Sequence, residues 1–335
     1  MTVTESAPIA TPQDNSIFLT KILAGEQNRY ERKGFGLCFA TIIAISFFFG
    51  VPELAKRYWP LFLEWEEEHK WGYFWLHCII GVVMHNVVHL GGNLMYWFFY
   101  HNEFSFIERY KSNDLPWPWK EDPVEWRSFA FKSILVLIFN GNVMIPVGLF
   151  AGELLGLSDE HSIEMEHLPT TKTLALSIAF FMLVEDFCFY WSHRFLHWKV
   201  IYPYIHKMHH KHVMTTSVAG EYAHPVEYVL GNMLPTTVGP MLLGYKCHFV
   251  TVLAWYLIRF TENLDGHCGY DFSWSPFRLI PFSSSAAYHD FHHAVNIGNY
   301  ASFFSIWDSV FGTNHAFNKA VRDNEEFSQT KAKLE

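Results

Sequence analysis

The sequence predicts an all-α integral membrane protein with about four transmembrane helices, a re-entrant or interfacial helical hairpin, and a cytosolic helical metal site rich in histidine. Half of its 335 residues are hydrophobic and 18% are aromatic, more than the core of a soluble protein of this length can bury. Four long runs contain no charged residue, and three short boxes contain eight of the 20 histidines. The runs predict membrane spans, and the boxes predict the metal site.

Residues 1–33 are expected to form a polar N-terminal tail without the basic start and cleavage site of a removable signal peptide. The first uncharged run, residues 34–52, is long enough to cross a hydrocarbon core of about 30 Å. The basic residues that precede it are Lys21, Arg29, Arg32 and Lys33. Because basic residues favour the cytosolic side of a span, the N-terminus is predicted to be cytosolic.

The transmembrane region with its connecting loops is assigned to residues 34–190. After a short acid-rich connection, further uncharged runs cover residues 71–102, 133–152 and 173–184. The third run contains residues that predict a kink, namely Asn140, Gly141, Asn142 and Pro146. Four crossings return the chain to the cytosol, so both termini and all the boxes are predicted on that side.

The rest of the chain is divided into a histidine-box catalytic region, residues 191–314, and a cytosolic C-terminal tail, residues 315–335. Within the catalytic region, residues 228–258 carry only Lys246 as a charge. Helix-interrupting residues divide this stretch, namely Pro235, Gly239, Pro240 and Gly244. A straight crossing would strand the third box on the opposite side of the membrane, so a re-entrant or interfacial hairpin is predicted.

The boxes read HRFLH, HKMHH and HDFHH. On a helix, positions i, i+3 and i+4 share one face, so each box aims its imidazoles at a common point, as metal ligands require. Their histidines are His193, His197, His206, His209, His210, His289, His292 and His293.

Eight imidazoles exceed the four ligands of a tetrahedral site and therefore indicate two metal ions. The five cysteines contain no CxxC pair, which excludes iron–sulfur and zinc-finger sites. Imidazole binds Fe, Zn, Cu and Ni alike, so ligand type alone leaves the metal open.

A further pair, His85 and His89, lies within the second uncharged run. An ionisable residue inside a span is a functional candidate by default, but this pair has no accompanying HxxHH. We therefore expect its imidazoles to hydrogen-bond neighbouring helices or a cavity water, with metal binding as the alternative.

Two other classes of function are disfavoured. The net charge of −9, with acidic and basic residues interleaved, provides no basic stripe for nucleic acid. A histidine-rich metal transporter would distribute polar residues along a path through several spans, whereas the boxes lie outside the spans.

Three further strings accompany the boxes: EYAHPVE at residues 221–227, DGHCGYDFSW at 265–274 and IGNYASFFSIWDSVFGT at 297–313. With the boxes, they resemble the sterol C-4 methyl oxidases, or methylsterol monooxygenases, of the fatty acid hydroxylase and sterol desaturase superfamily, over roughly residues 185–313. The resemblance implies an endoplasmic-reticulum membrane enzyme with a non-haem di-iron centre. Such enzymes use O2 and electrons from NAD(P)H, relayed by cytochrome b5 and its reductase, to oxidise a sterol 4-methyl group stepwise to the carboxylate. The alternatives in the superfamily are a sterol desaturase, a sterol side-chain dealkylase and a fatty acyl or lipid hydroxylase.

The resemblance also implies that the eight box histidines bind the metals, with His267 as a ninth ligand. His224 is either a tenth ligand or a residue that orders its loop. Phe189 and Tyr288 stand where family members commonly have histidine, which weakens the assignment of the particular substrate. No catalytic residue beyond the metal ligands is implied.

Acidic residues beside the ligands are candidates to accept an N–H from a ligating imidazole and so fix its orientation. They are Asp290, Asp265, Asp271 and Glu221, of which the first two are preferred. At the C-terminus, Lys331 and Lys333 give a KxKxx pattern, which is typical of retrieval to the endoplasmic reticulum.

Overall fold

Four long apolar stretches of helix dominate the computed structural model, which describes residues 33–113, 115–157, 160–212 and 214–323. Each is long and apolar enough to cross a membrane, so the predicted four spans are confirmed for this part of the chain. They are α1 (Lys33–His69), α2 (Gly72–Asn102), α3 (Pro123–Phe139) continued by α4 (Ile145–Leu154), and α5 (Thr171–Leu196). Most of the predicted N-terminal tail, with Lys21, Arg29 and Arg32, and the C-terminal Lys331 and Lys333 lie outside the described residues.

These helices are apolar on their exposed surfaces as well as where they pack against one another. Large side chains such as Phe35, Ile42, Leu94 and Trp97 are more than half exposed. An exposed apolar surface of this extent requires a cover, and hydrocarbon is the cover that long uncharged helices fit. The structure therefore has the form of a multi-pass membrane protein.

Two spans are longer than their uncharged runs. The expected acid-rich connection after the first run is not a loop, because α1 continues through it and ends at His69. A helix of 37 residues is about 55 Å long, so its polar end extends beyond a hydrocarbon core of about 30 Å. Likewise, α5 continues beyond its apolar run to Leu196 and carries the first box.

The kink predicted in the third span appears as a π-helical segment, Asn140–Met144, between α3 and α4. The side chain of Asn140 donates a hydrogen bond to the carbonyl oxygen of Ala223 at 3.1 Å. The segment therefore interrupts the helix where the third span contacts the loop before the hairpin.

The predicted hairpin is helical in both arms. The first arm consists of a short helix (Pro225–Glu227), a π-helical segment (Tyr228–Met233) and α6 (Leu234–Leu243), which packs against α5. Gly244, with a φ of 51°, makes the turn. The second arm, α7 (Phe249–His267), packs against α2 and extends past residue 258.

Short elements complete the described chain. A buried core of Trp59, Phe181, Phe249 and Trp255 joins α1, α5 and α7. The described residues form isolated β-bridges but no strand. The remaining elements are the short helices Ser105–Glu108 and Pro118–Glu121, the 3-10 turns Met165–His167, His206–Lys211, Ser217–Ala219, Gly244–Lys246 and Pro276–Leu279, α8 (Ala286–Val295), α9 (Ile306–Phe311) and a helical stretch over residues 315–323.

Candidate metal centre

Four separate elements bring the predicted ligands to one place. His193 lies in the last turn of α5, His197 caps that helix, and His267 is the last residue of α7. The third box lies on α8. The second box was expected on an α-helix, but it forms a 3-10 turn in which His210 departs from helical geometry, with φ −80° and ψ 21°. The tighter turn spreads its imidazoles over different directions.

The first cluster contains His193, His197, His206, His210 and His292, whose ligand atoms lie within 4.8 Å of one another. Four Nε2 atoms form a closed ring. Around it, His197 and His206 are 3.0 Å apart, His206 and His210 3.0 Å, His210 and His292 3.2 Å, and His292 and His197 3.1 Å.

The second cluster contains His209, His267, His289 and His293. Its Nε2 atoms are separated by 3.4 Å between His209 and His267, 2.9 Å between His267 and His289, and 3.1 Å between His289 and His293. The second and third boxes each contribute to both clusters, because the adjacent His209 and His210 point to different clusters.

These separations fit ligands that share an ion. For metal–nitrogen bonds of about 2.1 Å, adjacent ligands lie about 3.0 Å apart at right angles and about 3.4 Å apart in a tetrahedron. A direct hydrogen bond between two Nε2 atoms would need a proton on one of them. Where Nδ1 is already protonated, as beside the Asn263 carbonyl in His267, this second proton makes the ring a cation. Burial opposes the cation, since it lowers the pKa of His197 to about 2 and that of His267 to about 4. Neutral imidazoles with converging lone pairs are the form in which histidine binds a metal.

Backbone carbonyls orient several of these rings. The Nδ1 atom of His193 lies 2.9 Å from the carbonyl oxygen of Tyr300, and that of His292 lies 2.6 Å from the carbonyl oxygen of Gly298. The Nδ1 atom of His267 lies 2.9 Å from the carbonyl oxygen of Asn263. Because a carbonyl only accepts, each Nδ1 carries the proton and each Nε2 keeps the lone pair that points into the cluster.

One carboxylate that sequence reasoning missed lies behind a ligand ring in a similar position. Oε1 of Glu227 lies 2.8 Å from Nδ1 of His206, and both side chains are buried. Glu227 ends the EYAHPVE string and precedes the almost uncharged residues 228–258. An acidic residue at the start of such an apolar stretch is the signal that could have identified it.

The four acids that were expected to orient ligands have other contacts. Asp290 accepts hydrogen bonds from the hydroxyls of Ser112 and Thr215, and burial raises its pKa to about 7. Asp265 and Asp271 both bind the guanidinium of Arg278, at 3.0 Å and 2.9 Å. Glu221 contacts the histidines of the second span. Asp290 therefore ties α8 to the segments of Ser112 and Thr215, and Asp265 and Asp271 tie the end of α7 and the loop after it to Arg278.

The remaining predicted positions lie outside both clusters. His224 accepts a hydrogen bond from the backbone N–H of Val226 at 3.2 Å and so caps the short helix that begins the hairpin. Phe189 packs against His193 with ring centroids 5.2 Å apart, and Tyr288 packs against Phe317. The contact made by His224 corresponds to the loop-ordering alternative.

His85 and His89 were expected to bond neighbouring helices or water. Both instead face Glu221, with Nε2 to carboxylate-oxygen distances of 3.4 Å each. The three side chains form the third group in the described part of the chain that has the spacing of metal ligands.

One cavity adjoins the two clusters, and a second cavity adjoins the first. The first is lined by His193, His206, His209 and His289, together with the aromatic rings of Phe277 and Phe303. The second is mostly apolar, lies among α2, α4, the hairpin and α7, and shares wall residues with the first. These shared residues are Asn232, Arg259 and Asn263. An apolar molecule within the helices would therefore lie close to the histidines.

Comparison with known proteins identifies relatives. The fatty acid hydroxylase family model matches residues 178–313. A Dictyostelium discoideum protein, provisionally named a methylsterol monooxygenase, is 35% identical over 247 residues, which are 72% of this chain and 86% of that protein. Methylsterol monooxygenase 1 of Gallus gallus is 36% identical over 232 residues, 68% of this chain and 73% of its own. A very-long-chain aldehyde decarbonylase of Oryza sativa is 38% identical over 167 residues, 49% of this chain and 61% of its own. No solved structure matches.

Proposed function

The chain belongs to the methylsterol monooxygenases of the fatty acid hydroxylase superfamily, and from this premise we propose that it oxidises the C-4 methyl group of sterol intermediates stepwise to the carboxylate. It is an oxidoreductase with the histidine clusters of a non-haem iron oxygenase family. The closed ring of Nε2 atoms is the observation that carries the proposal, because its member His206 lines a cavity that shares walls with an apolar cavity between the helices.

The cofactor we propose is a pair of iron ions, one held by each histidine cluster. The first cluster offers five imidazoles and the second offers four. When bound, two irons supply the electrons needed to activate O2. The role of the chain is to hold nine neutral imidazoles in fixed orientations, with Glu227 and the carbonyls of Tyr300, Gly298 and Asn263 behind them.

The electrons in this proposal come from NAD(P)H through cytochrome b5 and its reductase, and the protein lies in the endoplasmic reticulum membrane. Four candidate spans support a common side for the N-terminus and the boxes, since an even number of crossings separates them. The basic residues before α1 favour the cytosol for that side, where the reductants are found.

A second candidate is another oxidation in the same superfamily, on a different sterol position or on a fatty acyl chain. The similarity to an aldehyde decarbonylase favours keeping it, because that relative matches about half of this chain at an identity comparable to the sterol enzymes. The boxes select the oxygen chemistry, whereas the lining of the cavity selects the carbon that is attacked.

Expression in cells that lack their own sterol 4-methyl oxidase tests the proposal. The wild-type chain is expected to clear accumulated 4,4-dimethyl sterols, and His292→Ala, made to the same level, is expected not to. Unchanged 4,4-dimethyl sterols with a correctly inserted wild-type protein would favour the second candidate. Lipid profiling of the same cells would then identify the altered acyl chain or sterol.

A further inference from the structure

A third cluster lies beside the second span, outside the three boxes. It consists of His85 and His89 on α2 and Glu221 on the loop before the hairpin, which are 0%, 1% and 4% exposed. Their ligand atoms lie within 4.8 Å of one another. We propose that this cluster binds a third divalent transition-metal ion, of the zinc or iron(II) class, separate from the two ions assigned to the boxes.

The distances within the cluster are long for hydrogen bonds between an imidazole and a carboxylate. Nε2 of His85 and Nε2 of His89 each lie 3.4 Å from an oxygen of Glu221. A charge-assisted hydrogen bond between such groups is about 2.7–2.9 Å long. Ligands that share an ion with bonds of about 2.1 Å are about 3.0–3.4 Å apart, which is also the spacing of the box histidines.

Nδ1 of His89 is engaged by a backbone carbonyl, so the atom that faces the carboxylate of Glu221 is Nε2. This Nδ1 lies 2.9 Å from the carbonyl oxygen of His85, four residues earlier, and therefore carries the proton. His267 makes the same contact with Asn263, also four residues earlier and also 2.9 Å long. In the neutral ring Nε2 then keeps its lone pair, and for His89 this lone pair faces an oxygen that can only accept. A cation between the two atoms removes that conflict, and their separation of 3.4 Å fits a metal ion better than a shared proton.

Arg259 is near enough to interact electrostatically with Glu221, but its guanidinium is bound by Glu185 and Glu262, at 2.7 Å each. A carboxylate that is buried without a cation or strong donors is costly, so this one needs a partner in the cluster. The rings of His85 and His89 pack against Phe260, with centroids 5.5 Å and 5.1 Å away. An apolar ring beside the cluster excludes water from that side and strengthens the attraction for an ion.

The fold makes room for His85 at the π-helical segment. A Cβ atom on Gly141 would lie 2.3 Å from Nδ1 of His85, so a side chain there would displace the imidazole. On another side, His85 and Glu221 line the apolar cavity between the helices. Two histidines, one carboxylate and an open position form a donor set that binds zinc or iron(II) together with water.

Metal content per folded chain tests this site. The full-length protein, purified in mild detergent, is expected to hold three ions by elemental analysis, and His89→Gln is expected to hold two. His77→Gln is the matched control, because His77 is on the same helix but bonds the hydroxyl of Tyr256 at 2.7 Å. It is expected to keep three. Two ions in the wild type, or three in a folded His89→Gln protein, would overturn the proposal. This count does not depend on sterol turnover, so the test is independent of the proposed activity.

A second measurement covers the case in which His89→Gln does not fold. Wild type and Glu221→Gln are stripped with a chelator and titrated with Co²⁺, whose absorption reports each occupied site. We expect three equivalents for the wild type and two for Glu221→Gln. Two equivalents for both proteins would mean that a proton, not a metal, joins Glu221 to the histidines.

Discussion

The Nδ1 atom of His206 lies 2.8 Å from Oε1 of Glu227, so a buried carboxylate stands behind a histidine of the first cluster. Such a partner fixes the ring and increases the basicity of the nitrogen that faces the metal. Glu227 thereby links the first arm of the hairpin to the second box.

Removing this carboxylate should weaken metal binding without removing a ligand. We expect Glu227→Ala to lose metal from the first cluster roughly 10–100-fold more readily than the wild type. Glu227→Gln, which keeps an acceptor oxygen, should fall between the two. Metal retention during timed exposure to a chelator measures the effect. Glu125→Ala, which removes an exposed acid beside Lys211, is the control. Equal retention in all four proteins would show that Glu227 does not support the ligand.

His292 belongs to the closed ring, so we expect its substitution to reduce metal binding more than the loss of Glu227 does. We expect His292→Ala to abolish turnover and to lower the metal content by about one ion per chain, because the remaining ligands leave a position open to water. His315→Ala removes an exposed histidine outside the clusters and should change neither quantity. Sterol conversion and metal content are measured in parallel on folded wild-type and variant proteins. Full activity in His292→Ala would contradict the assignment.

Gly298 supports His292 through its backbone. Its φ of 74° favours glycine, and an added Cβ atom would lie 2.0 Å from the carbonyl oxygen of Thr313. Gly298→Ala should therefore shift the carbonyl that holds His292, and we expect lower thermal stability and weaker metal retention. Gly91→Ala places its Cβ in open space on α2 and should be neutral or slightly stabilising. Melting temperatures of both variants with metal bound provide the comparison, and a neutral Gly298→Ala would contradict this expectation.

Asp186 anchors the loop that holds His193. Its buried carboxylate accepts the backbone N–H groups of Ser302, Phe303 and Phe304 at 3.1, 2.7 and 3.1 Å. Asp186→Ala would leave these donors without an acceptor, at a cost on the order of 3–5 kcal/mol in the free energy of unfolding. Thermal denaturation in detergent should show the loss. Asp323→Ala, at an exposed ion pair with Lys319, should melt as the wild type does.

The spans could be predicted from the sequence because a long uncharged run is what the hydrocarbon core of a membrane accommodates. The sequence did not predict where α1 ends, since hydropathy detects only the part of a helix in lipid, whereas the acidic residues before His69 continue the helix into water. The boxes were likewise recognisable from spacing alone.

The spacing of the histidines did not predict how the ligands divide between the two clusters. His209 and His210 are adjacent but belong to different clusters, because the second box forms a 3-10 turn. The contacts of Glu227 with His206 and of Glu221 with His85 depend on packing between distant segments. Pattern reasoning that treats each segment separately has no access to such contacts.

The fate of labelled oxygen shows whether this chain oxidises a sterol methyl group. Iron-loaded enzyme is incubated with a 4,4-dimethyl sterol, NAD(P)H, cytochrome b5, its reductase and ¹⁸O2. The masses of the products are then measured by mass spectrometry. We expect a 4-carboxysterol that carries at least one ¹⁸O atom. An unchanged sterol, with labelled product formed only from fatty acyl or aldehyde substrates under the same conditions, would contradict it.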